Sequence, residues 1–522
     1  MFNFSVRILT LLLPLLLISC GDSEPVQVPG SIPDPTPPPI FDTLISNAQL
    51  IDGLGSPAVL ADVYLKDGKV AHISTIGQSQ AKANHIIDAN HRVLAPGFID
   101  VHSHGDPLQT PGFENFLAQG VTTITLGQDG DSPVQVEDSS QWIAEVDASA
   151  IGVNLALFVG HGSLRNEAGV GQKPEPSADE LQRMQELLNS ALDYSFGLST
   201  GLEYNPGLHA SELELVELAR VVGNRNRIVM SHMRNEDDDQ LEASLDELLS
   251  QGRVSRVHVS HLKSVYGKGT DRAEEILAVL ANARDEGIEV TADVYPYNAS
   301  YAGIALLFPV WSKTAEEFAV AKETRRDELE EYLRNRIQRR NGPEATLLGT
   351  EPYTGKTLAD LEKELNLPFE KILIDVIGPQ GAGGAYFIMD DALQSRLLED
   401  DLITASSDGS PTGFHPRGHG TFAKYIEEYV VNREALTLAD AVRKITSFSA
   451  NILGLQDRGS IEIGKVADLV LFTPENVKAN ATYPSPLQLS SGFDIVFLKG
   501  EIAFENGAST KAGLGTLLKP NK

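Results

Sequence analysis

The sequence predicts an α/β protein built on a (β/α)₈ TIM-type barrel, and three observations favour that fold. Short apolar runs alternate with amphipathic helical segments from Leu94 onward. Residues of metal-ligand type follow several of these runs. The length of 522 residues suits a barrel of ordinary size plus a smaller domain. A doubly wound open sheet is the alternative, but it would leave those strand ends in a row, whereas a barrel gathers them at one mouth.

Eight segments within residues 96–454 are predicted as barrel strands because each is short and apolar. In chain order they are 97–101, 121–126, 153–159, 197–200, 228–231, 256–260, 288–294 and 402–406. Helix starts are indicated by three pairs with capping-box spacing: Ser177 with Glu180, Ser211 with Glu214, and Asp271 with Glu274. Residues 309–393 exceed an ordinary loop and contain a charged helical segment at 315–338. They are predicted as an insertion between strands seven and eight, with a lid as one interpretation.

The flanks of the barrel also read as strands. Residues 42–95 and 455–507 are predicted to pair into one small β-sandwich. Its expected strands are 44–51, 61–66, 69–73 and 90–94 before the barrel, and 466–472, 495–499 and 501–505 after it.

The first 41 residues predict export and anchoring. Arg7 and the apolar run 8–19 match a signal peptide over residues 1–19, since the run is too short to span a bilayer. Leu17-Ile18-Ser19-Cys20 resembles a bacterial lipobox, which would leave Cys20 as a lipidated N-terminus at the periplasmic face; an ordinary secretory signal is the alternative. Residues 20–41 are rich in proline and are predicted as an extended tether. Cys20 is the only cysteine, so no other thiol can bind metal.

The charge balance excludes some partners. With 72 acidic and 42 basic residues, the net charge is −30, and such a field repels nucleic acid and anionic surfaces. Membrane contact is therefore expected through the lipid anchor only. An anionic substrate would need arginine or lysine in the site itself.

Histidines at the strand ends predict a metal centre. His102 and His104 follow the first strand and, by the period of two, point to one face. His232 ends strand five, His261 ends strand six, and Asp408 follows strand eight. Neutral imidazoles with a carboxylate suit Zn²⁺, which activates water and polarises a carbonyl oxygen. Asp408 is the candidate proton shuttle, with a pure metal ligand or a helix cap as the alternative.

These motifs resemble the amidohydrolase superfamily and, within it, the N-acyl-D-amino-acid deacylases, or D-aminoacylases. The similarity covers about residues 42–507. The segments that carry it are 96–104, Gly120-Val-Thr-Thr-Ile, 196–204, 232–236, 261–263, Tyr295-Pro-Tyr297, Ser407-Asp408-Gly409, His415-Pro416-Arg417 and 464–469.

The resemblance implies roles for individual residues. It makes His232 and His261 ligands of a tightly held zinc ion. It places His102, His104 and Asp408 at an adjacent, weaker metal position. Lys263, Tyr295 and Arg417 would hold the substrate carboxylate.

One position departs from the family pattern. Asp129, in Gly127-Gln-Asp-Gly130, stands where well-known members carry a cysteine ligand. A carboxylate can bind or bridge zinc, so Asp129 is a candidate ligand, and a turn residue without a metal bond is the alternative.

The function implied is metal-dependent hydrolysis of an N-acyl-D-amino acid to a carboxylate and a D-amino acid. An isoaspartyl or other dipeptidase is one alternative. A cyclic amidohydrolase is a second alternative. Enzymes of that kind resemble a design in which a lysine bridges two metal ions, and between Gly120 and His232 the only lysine is Lys173, which lies in a proline-containing loop. A non-catalytic metal-binding lipoprotein is the third, and it leaves the substrate-binding residues unexplained. The oligomeric state stays open.

Overall fold

The computed structural model describes residues 40–79, 81–510 and 513–521. The predicted signal peptide, Cys20 and nearly all of the tether lie outside these ranges. Within them, no helix combines the length and the apolar character that crossing a bilayer requires.

The described residues form twenty-one β-strands. In chain order, β1 to β21 are Ile40–Leu50, Val59–Lys66, Lys69–Thr75, Lys82–Asp88, Val93–Pro96, Phe98–Asp100, Val121–Leu126, Asn154–Leu157, Val159–Gly160, Gly197–Gly201, Ile228–His232, Arg256–Val259, Val290–Val294, Ser300–Gly303, Thr346–Leu348, Gly383–Tyr386, Ile403–Ala405, Leu469–Phe472, Phe493–Leu498, Glu501–Glu505 and Ala508–Ser509.

Fifteen α-helices occur in the same residues. In chain order, α1 to α15 are Glu114–Leu117, Ser139–Ala148, His161–Glu167, Ala178–Ala191, Glu212–Asn224, Leu241–Gly252, Gly269–Asp285, Ala315–Thr324, Arg326–Arg339, Leu358–Leu365, Phe369–Ile372, Asp391–Glu399, Arg417–Lys424, Leu438–Arg443 and Ser449–Leu453. π-Helical turns extend three of them over Leu373–Ile377, Tyr425–Asn432 and Lys444–Phe448.

Two of the three predicted helix starts are confirmed. Ser177 caps α4 in a full capping box with Glu180, and the Ser211 side chain accepts from the backbone of Glu214 at α5. The Asp271 prediction is wrong, because α7 already begins at Gly269 and Asp271 lies in its first turn. In that turn the carboxylate of Asp271 still interacts favourably with the positive end of the helix dipole.

The eight predicted barrel runs all form parallel strands, in two sheets. One sheet has the order β6-β7-β8, and the other β9-β10-β11-β12-β13-β17. The third predicted strand is divided into β8 and β9 at Phe158, whose backbone N–H donates to the carbonyl of Leu126 at 2.8 Å. Helices pack their apolar faces on these sheets, as α4 does through Met184 and Leu188, and the strands and helices share one large core.

The flanking strands meet in a third, mixed sheet of nine strands. Its order is β21-β20-β19-β18-β5-β1-β2-β3, with β4 pairing to β1. The junction of the two flanks is the antiparallel pair β5–β18, in which Pro96 faces Leu469. Strand β4 was not predicted, because most of its side chains are exposed and it lacks an alternating apolar pattern.

Residues between β13 and β17 build a separate layer. Strands β14, β16 and β15 form an antiparallel sheet, and the predicted charged helix is two helices, α8 and α9. Apolar side chains of this layer, among them Ile304, Leu333 and Ile372, form a core of their own.

Candidate active site

The ends of the first and last parallel strands are joined by backbone hydrogen bonds. The N–H of Asp408 donates to the carbonyl of His102 at 2.8 Å, and the N–H of His104 donates to Gly409 at 2.8 Å. Buried Asp100 supports this junction by accepting from the N–H of Ser407 at 3.0 Å. As a result, His104 Nε2 lies 3.2 Å from Asp408 Oδ1. The prediction that these strand ends converge is confirmed.

Asp129 lies between the four predicted histidines. It occupies a tight turn after β7 with φ of 55°, a left-handed conformation that short polar residues tolerate. Its carboxylate oxygens lie 3.4 Å from His102 Nε2, 3.5 Å from His104 Nε2 and 3.4 Å from His261 Nε2. His232 contributes Nδ1 at 3.7 Å. Asp129 therefore faces the same point as all four imidazoles.

The ring nitrogens of His232 and His261 that face away from Asp129 have partners of their own. His232 Nε2 lies 3.4 Å from Glu203 Oε2. His261 Nδ1 lies 2.8 Å from Lys263 Nζ and 3.2 Å from Glu236 Oε1. Such contacts orient imidazoles so that the remaining nitrogen faces the centre of the site.

Glu203 and Asp293 were not predicted from the sequence. Glu203 follows β10 within the segment 196–204, but no local signal links it to His232. Asp293, inside β13, accepts from the backbone N–H of His261 at 3.0 Å and from His258 Nε2 at 2.7 Å. The two carboxylates thus support the histidines from strands that carry no predicted ligand.

The donor set fits metal ions. Three groups have ligand atoms within 4.8 Å of one another: His102 with His104, Asp129 and Asp408; Asp129 with His232 and His261; and Glu203 with His232 and Glu236. Both ring nitrogens of His102 and Nδ1 of His232 are buried and without a hydrogen-bond partner among the described residues. Buried imidazole nitrogens without partners are costly unless they bind something, and three imidazoles or more with shared carboxylates suit zinc.

Electrostatics keep the carboxylates ionised. Burial acts to raise the pKa of Asp129, but the charges of His102 and His261 outweigh it and hold that pKa well below its usual value. For Asp408, burial again acts to raise the pKa, but the charges of Arg417 and His261 lower it below its usual value. His104 shows the converse: burial alone would lower its pKa, yet Asp129 and Asp408 raise it to about 9.

A cavity of about 320 Å³ opens onto these groups, and the three predicted substrate-binding residues line it. Lys263 Nζ contacts Glu236 at 2.6 Å. Arg417 Nη1 lies 2.7 Å from Asp408 Oδ2, and its guanidinium stands 4.9 Å over the ring of Tyr295. The structure thus brings all of the predicted site residues from 102 to 417 together. Cys20 lies outside the described residues.

A second buried charged group has no access to this cavity. His161 Nε2 lies 2.7 Å from Glu214, which also pairs with Arg165 at 2.7 Å, and all three side chains are fully buried. None of them lines the cavity. The charges of Arg165 and Glu214 compensate each other inside the fold, and His161 contacts the same carboxylate, so this group has a structural role.

Comparison with known proteins gives concordant matches. The model of the amidohydrolase family matches residues 324–485. The N-acyl-D-glutamate deacylase of Alcaligenes xylosoxydans xylosoxydans is 32% identical over 89% of this chain and 94% of its own. The crystal structure of N-acyl-D-glutamate deacylase from Bordetella bronchiseptica, complexed with zinc and a phosphonate inhibitor, superposes with a TM-score of 0.79. It is 30% identical and covers 92% of this chain and 100% of its own. A D-aminoacylase structure concerned with one-metal activation and second-metal attenuation gives 0.77 at 28% identity, covering 92% of this chain and 100% of its own.

Proposed function

The chain belongs to the amidohydrolase family, with N-acyl-D-amino-acid deacylases as homologues, and from that premise we propose that it hydrolyses N-acyl-D-amino acids. One observation carries the proposal. The candidate metal ligands other than His102 line a single cavity together with Lys263, Tyr295 and Arg417, the residues expected to bind the carboxylate, and Asp408 contacts both sets. A non-catalytic metal-binding protein would not need carboxylate-binding residues beside its metal ligands.

Zinc is the metal we assign to the site. His232, His261 and Asp129 would hold the tighter ion, and His102, His104 and Asp408 the weaker one. When bound, zinc supplies an activated water and polarises the carbonyl oxygen of the amide. The similar D-aminoacylase structure concerns a binuclear metal centre with one-metal activation and second-metal attenuation, which supports two metal positions of unequal role.

The protein's own groups hold the substrate and move the proton. Arg417, Lys263 and Tyr295 bind the α-carboxylate and so fix the scissile amide beside Asp408. Asp408 accepts a proton from the attacking water and delivers it to the amide nitrogen. The C–N bond breaks, and a carboxylate and a D-amino acid leave. Because Arg417 contacts Asp408 directly, substrate binding and proton transfer share one ion pair.

The position of Lys173 argues against the cyclic-amide alternative. Its side chain is 55% exposed and paired with Glu180, outside the cavity. A lysine in that place cannot bridge two metal ions.

We further propose that the two parallel sheets form one closed (β/α)₈ barrel over 96–454. The single residue Phe158 separates β8 from β9, and a parallel bridge links Ser103 to Gly409 at the other seam. The flanks 42–95 and 455–507 are proposed as the β-sandwich, supported by a core that draws on strands of both. The separate core between β13 and β17 supports an insertion at about 309–393.

Export is a separate proposal. Arg7, the apolar run and Cys20 support a signal peptide over 1–19 and a lipid anchor on Cys20, followed by the tether 20–41. Labelled palmitate should enter the wild type in a bacterial host and not the Cys20→Ala variant. Equal labelling of both would overturn the anchor.

The function is tested with purified, zinc-loaded protein on paired N-acetyl-D- and N-acetyl-L-amino acids and on dipeptides. We expect release of D-amino acid, with Asp408→Asn lowering kcat by about a hundredfold or more. Turnover of dipeptides alone would contradict the proposal. An Asp408→Asn variant with wild-type kcat and full zinc content would contradict the shuttle.

A further inference from the structure

Arg340 brings a second arginine to the cavity besides Arg417. It follows α9 of the layer between β13 and β17, lines the cavity and is only 2% exposed. Its Nε is buried without a hydrogen-bond partner among the described residues. A guanidinium keeps its charge at any physiological pH, so burial in this state is costly.

Arg340 differs from the other cationic residues that line the cavity. Lys263 has Glu236 at 2.6 Å, and Arg417 has Asp408 at 2.7 Å. For Arg340 the nearest carboxylate oxygen is Asp237 Oδ1, 3.9 Å from Nη1 and beyond hydrogen-bond distance.

Asp237 is already engaged by another arginine. Arg336 Nη1 contacts Asp237 Oδ2 at 2.8 Å, and Arg339 Nη1 stands 3.9 Å from the same oxygen. One carboxylate is thus surrounded by three guanidinium groups. Arg339 has Asp239 at 3.0 Å as a further partner. Among the described residues, Arg340 is left without an anion at hydrogen-bond distance.

The surroundings of Arg340 select the kind of group that it would bind. Its guanidinium stands 5.3 Å over the ring of Tyr386, within the range of a cation–π contact. Apolar Val265, Leu306 and Ile388 line the same cavity and would accept a short methylene stem. A planar guanidinium beside this apolar lining matches a carboxylate on a methylene stem, because a carboxylate accepts two parallel hydrogen bonds.

We propose that Arg340 binds a second carboxylate of the substrate and makes the enzyme selective for dianionic N-acyl amino acids. The inference rests on the proposed function, because Arg417, Lys263 and Tyr295 are taken to hold the α-carboxylate. The second carboxylate belongs to the amino-acid side chain or to the acyl group, and both carry the same chemistry.

Two isosteric substrate pairs show whether the second carboxylate belongs to the amino-acid side chain or to the acyl group. N-Acetyl-D-glutamate is compared with N-acetyl-D-glutamine, and N-succinyl-D-alanine with its terminal amide. We expect the wild type to favour the charged member of one pair by about tenfold to a hundredfold in kcat/KM, the range for a hydrogen bond to a charged group. The pair that shows the preference identifies where the carboxylate lies.

Variants connect the preference to the residue. Arg340→Met should reduce the ratio to about one, whereas Arg340→Lys should keep part of it, because one ammonium replaces the fork. Arg339→Met is the matched control, since Arg339 does not line this cavity, and should leave the ratio unchanged. If Arg340→Met does not fold, the partial loss in Arg340→Lys decides.

N-Acetyl-D-methionine distinguishes the two levels of failure. If the wild type hydrolyses it but shows no preference in either pair, the role of Arg340 is overturned and the proposed function stands. A preference that survives in both Arg340 variants overturns that role as well. If none of these substrates is hydrolysed, the proposed function fails and this inference fails with it.

Discussion

Replacing Gly201 by alanine is expected to disable the site although no site side chain is changed. Gly201 ends β10 against the turn that carries Asp129. An added Cβ would lie 2.0 Å from the carbonyl oxygen of Asp129 and 2.7 Å from its carbonyl carbon. Contacts of a real Cβ stay beyond 3.0 Å, so one of the two backbones must move by about 1.0 Å.

Either movement displaces a candidate metal ligand. Retreat of the turn carries Asp129 away from the four histidines. Retreat of β10 instead strains its pairing with β11, where Gly201 faces His232. A misplacement of about 1 Å costs about a hundredfold in rate, so kcat/KM on N-acetyl-D-methionine should fall by that factor. Overpacking of this size lowers the free energy of unfolding by about 1–3 kcal/mol, which the fold can sustain.

The assay combines steady-state kinetics, zinc content after dialysis and thermal unfolding. Gly112→Ala is the matched control, because an added Cβ there meets nothing within 4 Å. It should keep wild-type values in all three measurements. A folded Gly201→Ala enzyme with wild-type turnover and zinc content would show that the Asp129 turn does not position the site.

Three further substitutions test individual contacts. Asp129→Ala should lower the bound zinc per chain, because Asp129 belongs to two of the three ligand groups, and Asp129→Cys should restore it; unchanged stoichiometry in the alanine variant would make Asp129 a turn residue. Arg417→Lys should raise KM by about tenfold or more, since lysine lacks the two parallel donors, and should lower kcat through the lost contact with Asp408. A substrate with a neutral amide in place of the α-carboxylate should show little further loss, and an equal loss on both substrates would refute the assignment. Glu203→Gln should weaken zinc binding by about tenfold to a hundredfold, because Glu203 orients His232, as measured by competition with a chelator; an unchanged affinity would refute that role.

Strand ends were predictable from the sequence because their signals are local. The period of two places His102 and His104 on one face, and apolar runs end at His232, His261 and Asp408. Parallel strands then carry those ends to one edge, which requires no knowledge of individual contacts. The departure at Asp129 was visible for the same reason, since it lies in a short turn after a strong strand.

Contacts between loops of different strands gave no such signal. Glu203 reaches His232 from 29 residues away, from the end of a different strand. Arg340 lies 77 positions beyond Lys263, in a layer with its own core, so nothing local placed it in the cavity. These positions depend on tertiary packing, which hydrophobic periodicity does not encode.

The nine-stranded sheet can be completed only after most of the chain has been synthesised. Its junction pairs Pro96 with Leu469, more than 370 residues apart in the chain. Strand β5 therefore has only β1 as a neighbour until nearly the whole chain has left the ribosome. Contacts at such separation form late and slowly, and meanwhile the open edge of β5 is free to pair with other chains. A truncation before Leu469 would leave that edge permanently uncovered, so loss of residues 469–522 should cause aggregation even though every candidate site residue remains.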